Sequence, residues 1–256
     1  MRTEEAIFSV FLGLIVGSFL NVCIHRLPKG ESVVRPGSRC ASCGLSIRWY
    51  DNIPVLGFLL LGGRCRGCGG RISWRYPTVE VLTGLLFLAT VLRFGLDARS
   101  IFLLIFLCGL VVVTFIDLDH EIIPHAVTLP GIPLGLIASL ITRDPSPRDA
   151  AAGTLVGAGL VYLIAVYAEA AFQRESMGGG DINLMAMIGA FLGWRQVFVS
   201  FFLAVAVGAC LSLLLIATGV LSRKDRIPFG PFLALGAVVA LFGGDGLIDW
   251  YWRLLR

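Results

Sequence analysis

Charged residues are scarce in this sequence. Asp, Glu, Lys and Arg together make up 15% of its 256 residues, whereas a typical soluble domain carries about 25%. Long uncharged apolar runs alternate with short polar connectors, which is the pattern that a lipid bilayer imposes. An ordinary soluble domain is therefore excluded. The modest net charge of +4 and the small soluble surface also argue against a nucleic-acid-binding protein.

The first apolar run lacks the features of a cleavable signal peptide. It covers Ala6–Ile24 and holds 19 uncharged residues, more than the roughly 7–15 of a signal-peptide core. Arg2 is followed by Glu4 and Glu5, so the preceding segment is not basic, and no small-x-small cleavage site ends the run. We expect a retained first membrane helix.

Eight apolar runs predict an all-α polytopic membrane protein with about eight transmembrane helices. A helix rises 1.5 Å per residue, so about 20 residues cross the ~30 Å hydrocarbon core, and the lower limit is about 17. Unpaired backbone polar groups are not tolerated in lipid, which requires these runs to be helical. The predicted spans are Ala6–Ile24, Thr78–Phe94, Ser100–Ile116, Ala126–Thr142, Ala150–Ala168, Met177–Trp194, Val197–Ser222 and Phe229–Gly244.

The connector from His25 to Pro77 is the one sizeable soluble region, and it is strongly basic. It contains nine Lys and Arg residues but only two acids, Glu31 and Asp51. The positive-inside rule places it in the cytoplasm. With eight crossings, the cytoplasmic side then collects 13 basic residues against 8 on the other side, and both termini face outward. The apolar segment Ile53–Leu61 is too short to span, and it either forms a small core under a metal site or, as we favour, lies at the membrane interface.

Two Cys-x-x-Cys pairs lie within this connector. Each pair is followed by glycine, and 21 residues separate them, which is typical of a zinc ribbon that presents four thiolates tetrahedrally. Redox dithiols or disulfides are the alternatives, and a cytoplasmic location disfavours lasting disulfides. Four Cys ligands leave no open position, so we expect a structural Zn²⁺ that folds the loop. The predicted ligands are Cys40, Cys43, Cys65 and Cys68.

Two acidic spots interrupt the membrane pattern. Asp117, Asp119 and Glu121 follow the third apolar run, and Asp181 stands in an uncharged stretch behind the glycines at 178–180. An ionisable group inside an apolar segment is costly and is a functional candidate by default. Glycines lack side chains and allow another backbone to approach closely. Two predicted helices lie between the spots, so both reach the same membrane face.

A pair of carboxyl groups on one face predicts acid–base chemistry. Two carboxyls in contact share one proton, so the ionised one activates water while the protonated one polarises a carbonyl. Other interpretations remain: Asp181 as a helix N-cap, Asp117 as a plain interfacial residue, and Asp119 and Glu121 as solvated loop charges. At the level of the whole protein, the alternatives are a transporter that uses the two aspartates as an ion site and a non-enzymatic assembly protein.

Five ordered motifs resemble the bacterial type IV prepilin peptidases, the leader peptidase/N-methyltransferases that share a GxGD-type aspartate motif. His125 departs from the family, which usually has Asp or Asn after the proline. Besides the paired Cys-x-x-Cys loop, the resemblance rests on Gly17–Val22 with Arg26–Pro28, on Asp117–Pro124, on Gly178–Asp181 and on Ile227–Leu233.

This resemblance implies a function and a set of site residues. It implies an aspartyl endopeptidase of the bacterial inner membrane that cleaves the short basic leader of prepilins or pseudopilins after a glycine, at the cytoplasmic face. It also implies methylation of the new amino terminus with S-adenosylmethionine. Asp117 and Asp181 would be catalytic. The cleft-forming or substrate-binding candidates are Gly178, Gly179, Gly180, Asp119, Pro124, Pro228, Gly230 and Pro231.

The apolar runs and the basic connector predict three domains. Residues 1–24 would form the first transmembrane helix, residues 25–77 the cytoplasmic zinc-binding loop domain, and residues 78–256 the transmembrane peptidase core. The expected partners are the prepilin or pseudopilin substrate and the lipid bilayer, with no nucleic acid.

Overall fold

The computed structural model describes residues 3–172, 178–220, 222 and 227–254. Within these residues the protein is all-helical, and the only strand-like pairings are two isolated bridges in the connector. This confirms the predicted fold class. The α-helices are α1 (Thr3–Arg26), α2 (Leu56–Leu60), α3 (Arg75–Phe94), α4 (Ala98–His120), α5 (His125–Thr142), α6 (Pro147–Phe172), α7 (Gly179–Leu192), α8 (Trp194–Ala217) and α9 (Gly230–Leu254).

Seven helices of the described chain are long and apolar enough to cross a membrane, namely α1, α3, α4, α5, α6, α8 and α9. The predicted sixth span, Met177–Trp194, is wrong in its bounds. Its helix is α7, which has 14 residues and a length of only about 21 Å, while Met177 lies outside the described residues. The count of eight crossings is therefore not confirmed.

The last two predicted spans also have different bounds. Helix α8 begins at Trp194 rather than Val197, directly after Gly193, whose φ of 80° makes a sharp turn from α7. It ends at Ala217, before the predicted Ser222. Helix α9 continues ten residues past the predicted end at Gly244, to Leu254. The polar residues after Gly244 interrupt the apolar run, but they remain helical.

The chain divides into two compact units, Met1–Val112 and Val113–Arg256. In the first unit, α1 packs against α3 through glycines. A Cβ on Gly13 would lie 2.7 Å from the Cα of Gly84, and one on Gly17 would lie 2.7 Å from the Cα of Glu80. Such small-residue contacts are the usual means of close helix packing in membranes. The three-domain division drawn from the sequence stays a prediction.

In the second unit, α7 is the central helix. It packs against α5, α6, α8 and α9, and every residue from Leu184 to Leu192 is buried. A helix that is apolar on all sides is surrounded by protein or lipid, and here the partner is protein. Central burial explains why the sequence of α7 looks like a membrane span although the helix is short.

Close contact between α6 and α7 depends on glycines in α6. A Cβ on Gly157 would collide with the carbonyl of Met185, and one on Gly153 with the carbonyl of Gly189. Gly159, one half-turn further along the same helix, has no neighbour within 4 Å of the position of a Cβ. Gly157 and Gly159 therefore form a matched pair of sites.

We expect Gly157→Ala to destabilise the protein by about 1–3 kcal/mol, because overpacking of a tight contact has that cost. Gly159→Ala should be neutral or stabilising by up to about 1 kcal/mol, because alanine favours the helix and meets no neighbour. Thermal unfolding of the two variants in detergent would compare them. Equal midpoints would show that this packing is not required.

Candidate active site and metal centre

Asp117 is a buried carboxylate in the last turn of α4, with 4% of its surface exposed. The backbone N–H of Gly230, the first residue of α9, donates a hydrogen bond of 2.8 Å to its Oδ2. The free amides at the N-terminus of a helix, together with its dipole, favour an anionic partner. The start of α9 is therefore an electrostatic support for Asp117.

Asp181 lies in the first turn of α7. The N-cap is Gly178, with extended φ and ψ of −77° and 149°, so Asp181 is not the N-cap that one alternative proposed. The N–H of Asp181 donates a bond of 3.1 Å to the carbonyl of Gly178. Burial, with the nearby Asp117 carboxyl as the second cause, raises the pKa of Asp181, so the fold brings together two aspartates that are far apart in sequence.

Ile123 joins the elements around the two aspartates. It lies in the link after α4, between Asp117 and α5. A Cβ on Gly180 would be 2.7 Å from the Cβ of Ile123, and one on Gly230 would be 3.3 Å from its Cδ1 and 2.7 Å from Oδ2 of Asp117. Gly180 and Gly230 are therefore required by close packing. Ile123 lies within the motif Asp117–Pro124, but no local pattern in the sequence indicates this role.

The three glycines before Asp181 differ in their surroundings. Only Gly180 meets a neighbouring element, since a Cβ on Gly178 or Gly179 would contact no other segment of the described protein within 4 Å. Both residues are exposed. Among the described residues, none of another segment therefore packs on this part of the chain.

A second link connects the two aspartate motifs. Nδ2 of Asn183 in α7 lies 3.1 Å from Nδ1 of His125, the first residue of α5. His125 was the one visible departure from the family pattern, and its imidazole bonds to the residue two positions after Asp181. The sequence therefore marked His125 as unusual but did not indicate that Asn183 is its partner.

The other predicted cleft residues occupy the ends of helices near these motifs. Asp119 is exposed near the end of α4, and Pro124 is the N-cap of α5. Pro228 precedes α9 and Pro231 is its second residue, a position that suits proline because its missing N–H has no helical partner. Their roles in substrate binding stay predictions.

The four cysteines of the connector form one cluster. Their Sγ atoms all lie within 4.8 Å of one another, and Sγ of Cys40 is 3.9 Å from Sγ of Cys68. Sulfur atoms around a tetrahedral ion with bonds of about 2.3 Å are about 3.8 Å apart. The cluster therefore fits a metal ion.

Both halves of the cluster use the same backbone turn. In each half, the first Cys receives a bond from the glycine four residues on, and its own N–H donates to the carbonyl five residues on. Glycine is needed because φ is 70° at Gly44 and 69° at Gly69. The bonds are Gly44 N to Cys40 O at 2.8 Å, Cys40 N to Leu45 O at 2.9 Å, Gly69 N to Cys65 O at 2.9 Å and Cys65 N to Gly70 O at 2.8 Å.

The turn also prepares a thiolate. Backbone amides of Cys43 and Ser42 point at the sulfur of Cys40 and lower its pKa to about 6. The thiolate is the form that binds metal ions. Next to the cluster, Arg66 forms a two-pronged ion pair with Asp51, 2.7 Å at the closest approach, and this lowers the pKa of Asp51.

Comparison with known proteins identifies the family of the chain. Residues 11–94 match the bacterial peptidase A24 N-terminal domain, and residues 104–213 match the type IV leader peptidase family. A Pseudomonas aeruginosa protein named prepilin leader peptidase/N-methyltransferase is 35% identical, over 95% of this chain and 92% of its own length. A Bacillus subtilis protein of the same name is 34% identical, over 94% and 96%.

The chain belongs to the type IV leader peptidase family. A Myxococcus xanthus member is 46% identical over 84% of this chain, and the match covers 64% of that protein's length. No solved structure matches the chain. Family membership and the apolar helices identify a multi-pass protein of the inner membrane, and they give no support to the transporter alternative.

Gly230→Ala tests the support for Asp117. A Cβ would press on the Asp117 carboxylate and Ile123, so we expect the carboxylate to shift and peptidase kcat to fall about 10²-fold, the loss that a 1 Å misplacement causes. Gly243→Ala is the matched control, since Gly243 is in the same helix with nothing within 4 Å of a Cβ. Equal kcat values for the two variants would contradict a supporting role for Gly230.

Proposed function

We propose that this protein is a membrane aspartyl endopeptidase that removes the short basic leader of prepilins or pseudopilins, after a glycine, at the cytoplasmic face of the inner membrane. It is an enzyme of the prepilin leader peptidase/N-methyltransferase family. The observation that carries the proposal is that Ile123 packs both against Gly180, next to Asp181, and against Gly230, whose amide holds the buried Asp117, so that the two aspartates lie at neighbouring helix ends.

The pair supplies the chemistry of peptide hydrolysis without a covalent intermediate. Two carboxyl groups in an apolar setting hold one proton between them, because two charges there are too costly. The ionised group takes a proton from water as the water attacks, and the protonated group polarises the scissile carbonyl. The pair titrates as a unit, so acid and base are roles that the two groups share.

The surroundings of the dyad suit an extended substrate. Gly178 and Gly179 carry no side chains directly before Asp181, and no other segment of the described chain lies within 4 Å of a Cβ at either position. A scissile segment must be extended for its carbonyl to reach both carboxyls. The absence of side chains at these two positions lets the substrate backbone come close to the catalytic groups. The hydrophobic helix that follows the cleavage site would remain in the bilayer.

We further propose that the first unit carries out methyl transfer and that its four cysteines bind Zn²⁺. The names of the relatives join peptidase and N-methyltransferase, and S-adenosylmethionine is the methyl donor that the family resemblance implies. A closed site of four Cys ligands offers no open position for catalysis. The Zn²⁺ would therefore hold the connector folded.

Asp117→Asn and Asp181→Asn test the dyad. Each removes one carboxyl group and keeps its size, so we expect cleavage of a synthetic prepilin to fall about 10²–10⁴-fold or more, the range of acid–base catalysis. Mass spectrometry of the product would measure cleavage. Asp119→Asn, at the end of the same helix as Asp117, is the comparison and should retain most of kcat.

The same experiment separates the competing functions. A labelled methyl donor added to a pre-cleaved substrate should still be used by both dyad variants, because methyl transfer is assigned to the other unit. Full cleavage by either dyad variant would refute the aspartyl mechanism. Retained binding of partners with no cleavage by the unaltered protein would favour the assembly protein.

Removal of a single cysteine tests the metal centre. We expect the unaltered protein to contain about one zinc per chain, and Cys40→Ser to lose it, because three thiolates no longer close the tetrahedral site. Cys210→Ser is the control, since Cys210 is exposed on α8 and outside the cluster. Elemental analysis would measure the zinc, and equal contents in the two variants would exclude this site.

The acidic segment after Asp117 predicts electrostatic attraction of a basic leader. Asp119 and Glu121 are both exposed, and residues 117–121 contain no Lys or Arg. Charge reversal, Asp119→Lys with Glu121→Lys, should raise KM for a basic leader at low salt with less effect at high salt, because salt screens exposed charges. Unchanged kinetics at low salt would contradict this attraction.

A further inference from the structure

Helix α2, Leu56–Leu60, presents an apolar face that no part of the described chain covers. Leu56, Leu59 and Leu60 are 55%, 60% and 81% exposed. The opposite side of the helix is packed, since Gly57 is buried and a Cβ there would collide with the carbonyl of Asp51. One side of α2 therefore packs against the rest of the connector, and the other side is exposed.

The structure ties α2 to a membrane helix. The N–H of Val55, the residue before α2, donates a bond of 2.7 Å to Oε2 of Glu80. Glu80 is only 6% exposed and is the sixth residue of α3, about 7.5 Å along the helix from its start at Arg75. Since α3 has the length and composition of a membrane span, this bond holds the start of α2 level with the first turns of a membrane helix.

The strained backbone at Val55 indicates that the surrounding structure holds this attachment in place. Val55 has φ of 61° and ψ of −49°, a conformation that is unfavourable for a β-branched residue. Such backbone strain persists only where the surrounding structure fixes it. The buried carboxylate of Glu80, which accepts the Val55 amide, is that fixing contact.

An exposed aromatic residue packs beside α2 at the start of α3. Trp74 immediately precedes α3, is 72% exposed, and its ring packs on Phe58 of α2 with 4.7 Å between ring centroids. Tryptophan is enriched where a membrane helix meets the headgroup layer. The exposed leucines of α2 and Trp74 thus belong to one structure at the entrance of α3.

The charge of the connector identifies the kind of surface that it would meet. Residues 25–77 hold nine basic and two acidic residues, and one of the acids, Asp51, is already paired with Arg66. Basic clusters beside a membrane helix attract anionic lipid headgroups. An exposed apolar helix face within a basic connector combines the two features that favour binding in the membrane interface.

We propose that α2 is an interfacial membrane anchor: Leu56, Leu59, Leu60 and Trp74 insert into the acyl boundary, and the basic residues of the connector bind anionic lipid headgroups. The anchor fixes the four-cysteine cluster at the membrane surface. It is independent of the assignment of the catalytic dyad, since all of its residues lie in the first unit.

Depth-dependent quenching tests this anchor in the full-length protein. The protein is placed in nanodiscs with brominated acyl chains, without substrate, and carries a fluorescent amino acid at a single site, Leu60→dansylalanine. Val34→dansylalanine is the control, since Val34 is equally apolar and 78% exposed but lies in the connector outside any helix. Retained zinc content shows that both proteins are folded.

We expect a blue-shifted emission at position 60 that brominated lipid quenches, with little quenching at position 34. Replacement of anionic lipid by zwitterionic lipid should reduce the quenching at position 60. Water-like, unquenched emission at position 60 would overturn the anchor. Shielded but unquenched emission would show that a second copy or another protein segment covers α2, and equal quenching at both sites would show that α2 is not the anchor; either result would overturn the proposal.

Discussion

The hydrogen bond from the Gly230 amide to Asp117 is the interaction on which the candidate active site depends. A buried carboxylate in an apolar bundle is stable only if its surroundings satisfy it, and the start of α9 does this across a separation of 113 residues. The same contact brings Ile123 against Gly230, and Ile123 in turn packs against Gly180, next to Asp181. This bond and the two contacts of Ile123 thus join the ends of α4, α7 and α9. The site therefore depends on packing between these three helices.

The first unit contains the same kind of hydrogen bond, with a different consequence. There too a buried carboxylate on a membrane helix accepts a backbone amide from a distant segment, since Glu80 bonds to Val55. In one unit the bond orients the proposed catalytic carboxyl of Asp117, and in the other it attaches the basic connector to α3. Glycines also allow close packing beside both carboxylates: Gly17 lets α1 approach the backbone of Glu80, and Gly230 lies against the Asp117 carboxylate. Small residues and satisfied carboxylates therefore organise both parts of the chain.

The sequence predicted the fold class and the two aspartate motifs, because both leave strong local signals. Apolar runs identify membrane helices, and Asp181 stands out among uncharged residues. The bounds of α7 were not predictable in this way, since its apolar residues contact protein rather than lipid, and composition does not separate the two environments. The contacts of Ile123, and the bond between His125 and Asn183, join segments far apart in sequence. No spacing rule encodes such contacts, although the unusual His125 marked the position.

The central claim is that Asp117 and Asp181 act together on one peptide bond. The most direct measurement is a structure of the protein bound to a prepilin analogue whose scissile peptide is replaced by a hydroxyl-bearing isostere that is not cleaved. The account predicts that the hydroxyl lies between the two carboxyl groups, within about 3 Å of an oxygen of each. A bound analogue whose hydroxyl contacts neither aspartate, or contacts one while the other faces away, would contradict it.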